Sequence, residues 1–209
     1  MNKSVRIFQK LIFVASFVFF VAAGANAQHY IGVKNAYGLM DVSISPSPKD
    51  KKGINTVFNP GIAYRYEHKK YFAFQTELNY ISKGYEALDT TFNIYSLELP
   101  IMGQAFYRFG WFRPYVTGGA FVGYVNKRNI EVGGETKKFR TDTYTNRFEY
   151  GIIGGAGMGF TISRFELQSE WRYQYCFSFL REPHINGITR YLNSTQMTIS
   201  LALFYRFGG

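Results

Sequence analysis

Cysteine and histidine are scarce in this chain of 209 residues, which contains one cysteine, Cys176, and three histidines. A single cysteine excludes a disulfide bond within the chain. No group of cysteine, histidine and acidic residues has the spacing of a metal site, so we predict neither a metal nor another cofactor. The chain therefore resembles neither a disulfide-stabilised secreted domain nor a metalloenzyme.

Long runs of basic residues are also missing, although the formal net charge is +10. No run of Lys and Arg exceeds two residues, and many basic residues alternate with acidic ones. Proteins that bind nucleic acids cluster their basic residues on one face or along one helix. The distribution of charge therefore argues against a nucleic acid as partner.

The first 27 residues have the three parts of a secretory signal peptide. Residues 1–10 contain three basic side chains, residues 11–24 form an apolar run, and residues 25–27 read Ala-Asn-Ala, a small-residue cleavage site. We expect residues 1–27 to be cleaved off, which leaves residues 28–209 as one mature domain with a net charge of 10 − 3 = +7. The alternative is an uncleaved anchor helix, for which the apolar run is short.

After residue 27 no apolar run is long enough for a transmembrane helix, so a chain that stays in a membrane must cross it as strands. In RFELQSEWRYQYCFSF, residues 164–179, apolar and polar side chains alternate, which predicts a strand with one apolar and one charged face. A tilted strand crosses a bilayer with about 9–11 residues. Eight segments of sufficient length are predicted as strands, at residues 29–44, 56–67, 71–83, 92–109, 113–126, 147–162, 164–179 and 194–207.

The connections between these segments alternate in length. Short connections at 68–70, 110–112 and 163–164 lie between longer ones at 45–55, 84–90, 127–146 and 180–193. Short periplasmic turns and longer extracellular loops are typical of outer-membrane barrels. We therefore predict an all-β fold, an eight-stranded antiparallel transmembrane β-barrel formed by residues 28–209 and integral to the cell outer membrane.

In most of these strands the charged face would point into the barrel lumen. An eight-stranded barrel is just wide enough for side chains to fill it, and an unpaired buried charge is costly. We therefore predict that the charges pair and rigidify a closed barrel; a proton or ion path is the alternative. The segments 29–44 and 113–126 alternate poorly and indicate no orientation. The predicted lumen charge network comprises Arg65, Glu77, Glu98, Arg108, Arg147, Glu149, Glu166, Glu170, Arg172 and Arg206.

Aromatic, glycine-rich and basic stretches each have a structural interpretation in such a barrel. Residues 106–115, FYRFGWFRPY, predict an aromatic girdle at the periplasmic interface, with a stacking platform for a sugar or nucleic acid as the alternative. Residues 151–160, GIIGGAGMGF, continue into a strand and not into a helix, so they are no nucleotide-binding loop. Their glycines would give room to bulky neighbours. Residues 133–140, GGETKKFR, are predicted as a solvated loop, with contact to lipopolysaccharide phosphates as the alternative.

Two other classes of protein remain open on the sequence. Outer-membrane barrels that modify lipid A use a nucleophile and a histidine near the outer leaflet. On the outer side this chain has only His184, with Ser178 and Glu182 near it, so we predict no enzymatic activity and no catalytic residue. A soluble exported calycin-like barrel that binds an apolar ligand would invert every strand, with aromatic side chains inside. The strand lengths and the asymmetry of the loops argue against it.

Residues 59–86, residues 95–125 with their LELP and PYV motifs, and residues 151–173 recur in one known type of barrel. Together with a last strand that ends in YRF, they resemble the PorT-like outer-membrane barrels of the Bacteroidota over the whole mature chain. The founding member of that family is a component of the type IX secretion system. The resemblance implies a structural or accessory role in the cell envelope that extends to protein secretion. The partners that it implies are outer-membrane lipid and lipopolysaccharide, the barrel-assembly machinery and secretion-complex proteins.

Overall fold

The computed structural model describes residues 28–45, 55–87, 90–132, 135–138, 147–177, 180–181 and 191–207. The predicted signal peptide and the predicted set of Ser178, Glu182 and His184 lie outside these residues. Within them, no helix is long and apolar enough to cross a membrane. The strands are β1 (Gln28–Ser45), β2 (Asn55–Lys69), β3 (Phe72–Ala87), β4 (Thr90–Phe106), β5 (Phe112–Val132), β6 (Glu135–Lys138), β7 (Phe148–Ile162), β8 (Phe165–Cys176), β9 (Leu180–Arg181) and β10 (Tyr191–Phe207).

Eight of these strands form one closed antiparallel barrel, in the order β1-β2-β3-β4-β5-β7-β8-β10. The barrel closes between β10 and β1, which pair from His29↔Phe207 to Ser45↔Tyr191. The two short strands are additions, since β6 pairs with β5 and β9 with β10. The predicted eight-stranded antiparallel barrel is confirmed.

Three tight turns lie at the end of the barrel at which β1 begins and β10 ends. They comprise residues 70–71, 107–111 and 163–164. Gly110 and Ser163 both have a φ of 59°, which reverses the chain within a few residues. Short turns face the periplasm in barrels of the outer membrane, so this is the periplasmic end.

The hairpins at the opposite, extracellular end are longer than predicted. Residues 84–90 were expected as a loop, but β3 runs to Ala87 and β4 begins at Thr90. Residues 127–146 were expected as the longest loop, but β5 continues to Val132 and β6 pairs back onto it, from Asn129↔Lys138 to Val132↔Glu135. A strand can continue beyond the bilayer through polar residues. Antiparallel pairing satisfies the backbone N–H and C=O groups of such a segment whatever its side chains are. The sequence Gly133-Gly134 between the paired segments is a hairpin signal that would have indicated this.

Most of the large apolar side chains of the barrel strands point outward. On β8, Leu167, Trp171 and Tyr173 are exposed, whereas the inward-facing polar and charged residues between them, Gln168, Glu170 and Arg172, are buried. The orientations predicted for β3, β4, β8 and β10 are confirmed. A soluble calycin-like barrel, with its aromatic side chains inside, is excluded by this arrangement.

The orientations of β1 and β5, which the sequence did not indicate, are settled by the structure. On β1, Tyr30 and Lys34 are buried in the lumen and Val33 is 63% exposed. On β5, Arg113 and Tyr115 are buried. Glycine and alanine occupy three inner positions of β1 and positions on both faces of β5, and their small side chains weaken the alternation.

Candidate functional site: the lumen charge network

The periplasmic half of the lumen is built around Arg65 of β2. Its Nη1 and Nη2 donate to Oε1 and Oε2 of Glu166 on β8, at 2.9 and 3.0 Å. Its Nε lies 3.2 Å from Oε1 of Glu67, an ion-pair contact without hydrogen-bond geometry. The guanidinium also packs between two rings, with its Cζ 4.0 Å from the ring centre of Tyr30 and 4.8 Å from that of Phe204. Since β2 and β8 are not neighbours, this fork joins separate walls of the barrel.

Two further arginines complete this periplasmic cluster. Arg113 donates from Nη1 to Glu166 Oε1 at 3.3 Å, and its Cζ lies 4.1 Å from the ring centre of Phe106. Arg108, in the turn between β4 and β5, donates from Nη2 to Glu67 Oε2 at 2.9 Å. Burial by itself lowers the pKa of the Arg108 guanidinium, but Glu67, Tyr30 and Glu166 together outweigh this effect, and the pKa is raised. The cluster combines three guanidinium groups with two carboxylates.

A second cluster lies farther from the periplasmic turns and is centred on Glu77 of β3. Arg172 of β8 donates from Nη1 and Nη2 to Oε2 and Oε1 of Glu77, both at 2.9 Å. Lys34 of β1 donates to the same carboxylate at 2.9 Å. Arg172 also donates from Nε to Glu170 at 2.6 Å, and the Tyr115 hydroxyl donates to Glu170 at 2.9 Å. This central cluster holds two cations and two carboxylates.

Two glutamines join the clusters into one hydrogen-bonded chain. Arg113 Nη2 donates to Gln104 Oε1 at 2.9 Å, and Gln104 Nε2 donates to Gln75 Oε1 at 2.9 Å. Gln75 Nε2 in turn donates to Glu77 Oε1 at 2.7 Å. A continuous chain of polar contacts therefore runs from the turn at Arg108 to the middle of the lumen. We call the two clusters and these glutamines the lumen network.

The ten residues predicted for the lumen are distributed unevenly over this network. Six of them lie in the two clusters, namely Arg65, Glu77, Arg108, Glu166, Glu170 and Arg172. Glu98 and Glu149 are buried nearer the extracellular end, where Gln174 donates to Glu98 at 2.6 Å. Arg206 is half-buried at the periplasmic end of β10. Arg147 precedes β7, and its Nη1 donates to the hydroxyl of the outward-facing Tyr124 at 3.2 Å.

Three charged residues of the network were missed from the sequence. Lys34 and Arg113 belong to the two strands whose alternation was unclear, and Glu67 lies near the end of β2, beside a turn. A signal was present, because Ile31, Val33, Tyr37 and Leu39 occupy alternate positions and are all exposed. These apolar residues would have placed Lys34 on the opposite, inner face.

The glycine-rich strand β7 gives the network its room. A Cβ atom on Gly157 would lie 2.6 Å from the Tyr115 hydroxyl oxygen and 2.6 Å from the carbonyl oxygen of Ser169. On Gly159 it would lie 2.7 Å from Oε1 of Glu166. This close approach agrees with the prediction that the glycines of residues 151–160 give room to bulky neighbours.

Apolar side chains occupy the lumen on the extracellular side of the network. Met102, Phe121, Ile153 and Cys176 form one buried cluster, and Val57 and Ile81 form another. An apolar layer therefore lies on the extracellular side of the network, the side on which Glu98 and Glu149 are also buried. Among the described residues, no group of His, Cys, Asp and Glu side chains could hold a metal ion.

The family model of the outer membrane protein beta-barrel domain matches residues 16–180. The chain belongs to this family. It is an integral protein of the outer membrane, and its charged lumen network lies inside the membrane-spanning barrel. No curated protein sequence matches the chain.

Two solved structures of outer-membrane proteins illustrate which known folds this chain is similar to. The outer membrane protein OprG from Pseudomonas aeruginosa superposes with a TM-score of 0.58 at 11% identity, over 90% of this chain and 99% of OprG. The outer membrane enzyme PagL superposes with a TM-score of 0.50 at 11% identity, over 82% of this chain and 97% of PagL. At such low identity these likenesses concern the fold alone.

Proposed function

We propose that this protein is a closed, non-conducting barrel with a structural or accessory role in the cell envelope. The observation that carries the proposal is the lumen network, in which guanidinium forks join non-neighbouring strands across the interior. An arginine side chain is attached to its own strand, and its guanidinium is bound by a carboxylate on another wall. Water or a solute does not easily displace a side chain that is held at both of these points. The apolar layer on the extracellular side supports the same conclusion, because an apolar constriction opposes the passage of ions.

The accessory part of the proposal rests on the extracellular strand extensions. β5 and β6 form a paired extension whose sequence, NIEVGGETKK over residues 129–138, is largely polar. A paired polar extension at the extracellular end is a suitable contact surface for another envelope protein. Protein secretion is the process that the resemblance to PorT-like barrels suggests for this contact, and lipopolysaccharide phosphates are a second candidate for its basic residues.

Closure is tested by conductance of the purified protein in planar lipid bilayers. We expect no conductance steps from the wild type, and well-resolved steps would overturn the closed-barrel proposal and favour the ion path. The matched variant carries Arg65→Ala, Arg113→Ala and Phe121→Ala together, which removes two cross-lumen groups and one member of the apolar layer. If the variant conducts and the wild type does not, these three side chains close the barrel.

The accessory role is tested by comparing the secreted proteome of a clean deletion strain with that of its parent. We expect particular cargo proteins to accumulate in the periplasm of the deletion strain and the complementing wild-type gene to restore their export. A complementing variant in which residues 129–138 are replaced by a short turn should fail to restore it while still reaching the outer membrane. Unchanged secretion in the deletion strain would contradict a role in export.

We further propose that the protein has no enzymatic activity toward lipid A. Each carboxylate of the two clusters contacts a cation and is buried in the lumen, away from the lipid that faces the outer wall. Mass spectrometry of lipid A from the deletion strain and its parent tests this. A change in acylation that the wild-type gene reverses would contradict the proposal.

A further inference from the structure

An open apolar groove lies on the outer wall of the barrel, close to the periplasmic end. It has a volume of about 390 Å³ and is lined mainly by Tyr71, Phe72, Ala105, Tyr107, Pro114 and Val116. This volume is within the range of about 300–1,000 Å³ typical of small-molecule sites. The groove faces the bilayer, because Phe72 and Val116 are among the exposed apolar side chains of the wall.

The floor of the groove is formed by Ala105. In the sheet Ala105 lies between Phe72 of β3 and Val116 of β5, which are 63% and 58% exposed. A methyl side chain between two large ones leaves a depression in the wall that runs along the strand. Such a depression has the shape and the apolar character to take one acyl chain.

The periplasmic end of the groove carries a pair of tyrosines and a lysine. Tyr71 and Tyr107 stack with their ring centres 6.0 Å apart and an interplanar angle of 19°. Tyrosine prefers the headgroup level of a membrane. Lys70 Nζ lies 6.0 Å from the ring centre of Tyr71, and Lys70 is exposed. An ammonium group is therefore available at headgroup level beside the entrance of the groove.

The charge around this entrance favours an anion. The three periplasmic turns contain no acidic residue. Their sequences are KKY at 69–71, where Lys69 precedes the turn, YRFGW at 107–111 and SR at 163–164. Arg108 points into the lumen, where it binds Glu67. Among the described residues, Lys70 is the cation that lies beside Tyr71. Basic residues at a membrane surface attract anionic lipids.

We propose that this groove is a binding site for one anionic phospholipid of the periplasmic leaflet. One acyl chain lies over Ala105 between Phe72 and Val116, and the phosphate lies at Lys70. The site would fix the depth of the barrel at its periplasmic end. It differs from the general lipid contact of the wall in having a shaped depression and a defined cation.

The test is native mass spectrometry of the purified protein titrated with phosphatidylglycerol or phosphatidylcholine in mild detergent. We expect one tightly held phosphatidylglycerol per barrel and weaker retention of phosphatidylcholine, whose headgroup has no net charge. Ala105→Phe should abolish the tight binding, because the ring fills the groove. Lys70→Gln should weaken it about fivefold, the factor expected for one basic residue at a lipid surface.

Two matched variants decide between a site and unspecific lipid contact. Ala120→Phe adds the same ring at an exposed alanine of the neighbouring strand β5, and Arg164→Gln removes a charge from another periplasmic turn. Both should retain wild-type binding. Equal losses in Ala105→Phe and Ala120→Phe, or in Lys70→Gln and Arg164→Gln, would overturn the proposal, as would equal retention of the two lipids by the wild type. Lys70→Gln changes only an exposed turn, so it keeps the test decisive if Ala105→Phe does not fold.

Discussion

Arg172 on β8 forms a two-pronged ion pair with Glu77 on β3, across the full width of the lumen. The two strands are fourth neighbours in either direction around the barrel, so the pair joins opposite walls. Both side chains are buried, at 3% and 2% exposure. Lys34, Glu170 and two amides satisfy the remaining groups of the pair. The network therefore acts as a set of cross-braces inside a narrow barrel.

Replacing Glu77 by glutamine should destabilise the barrel strongly. The change leaves Arg172 and Lys34 buried without their shared carboxylate, and the loss of one partner from a buried ion pair costs about 3–5 kcal/mol. The free energy of unfolding, measured by urea titration of the barrel refolded into lipid vesicles, checks this. Ser200→Ala, another buried lumen position, is the control and should cost less than about 1.5 kcal/mol. Equal effects of the two changes would show that the ion pair contributes nothing of its own.

Replacing Gly157 by alanine should also destabilise the barrel, by about 1–3 kcal/mol, as overpacking does in tight interiors. The new methyl group would lie 2.6 Å from both the Tyr115 hydroxyl oxygen and the backbone of Ser169. Gly154→Ala on the same strand is the matched control, because its Cβ would meet no atom within 4 Å. Urea unfolding of both variants measures the difference. If Gly157→Ala is as stable as Gly154→Ala, the close approach of Tyr115 does not require a glycine at position 157.

Removing the hydroxyl of Tyr115 should cost about 1–3 kcal/mol of stability, since Glu170 then loses a buried hydrogen-bond donor. Tyr115→Phe keeps the ring beside Arg113 and changes only this contact. Tyr150→Phe on the outer wall, where the side chain is 52% exposed, should leave the free energy of unfolding unchanged. The midpoints of thermal unfolding, read from the altered electrophoretic mobility of folded barrels, compare the two. A shift of equal size in both variants would contradict a specific role of the Tyr115 hydroxyl.

Cys176 should be protected from a polar maleimide in the folded barrel. Its side chain is buried with Phe121 and Ile153 in the apolar layer, at 3% exposure. Because it is the only cysteine of the chain, labelling reports on this layer alone. Full labelling in denaturant and little labelling of folded protein is the expected result, and Phe121→Ala should raise the labelling rate. Rapid labelling of the folded wild type would show that water enters the lumen from outside.

The barrel itself could be predicted from the sequence because its signals are local. Residues that alternate in a strand point to opposite faces whatever the strand pairs with, so the outward Trp171 and Tyr173 and the buried Glu170 and Arg172 of β8 followed from their positions. The alternation failed on β1 and β5, where small side chains carry little information about the face. The lengths of the outer hairpins were also missed, since polar residues do not indicate whether a segment beyond the bilayer is paired.

The sequence by itself determined the number of barrel strands, their tight turns and which residues could be inside, through the period of two and the positions of the turn residues. Only the tertiary structure decided which charge meets which. Glu77 and Arg172 are 95 positions apart and lie on opposite walls, and their meeting depends on strand tilt and on the register of every pairing between them. The same register places Ala105 between Phe72 and Val116 and so creates the groove on the outer wall. These are properties of the closed sheet, and no segment of the chain specifies them alone.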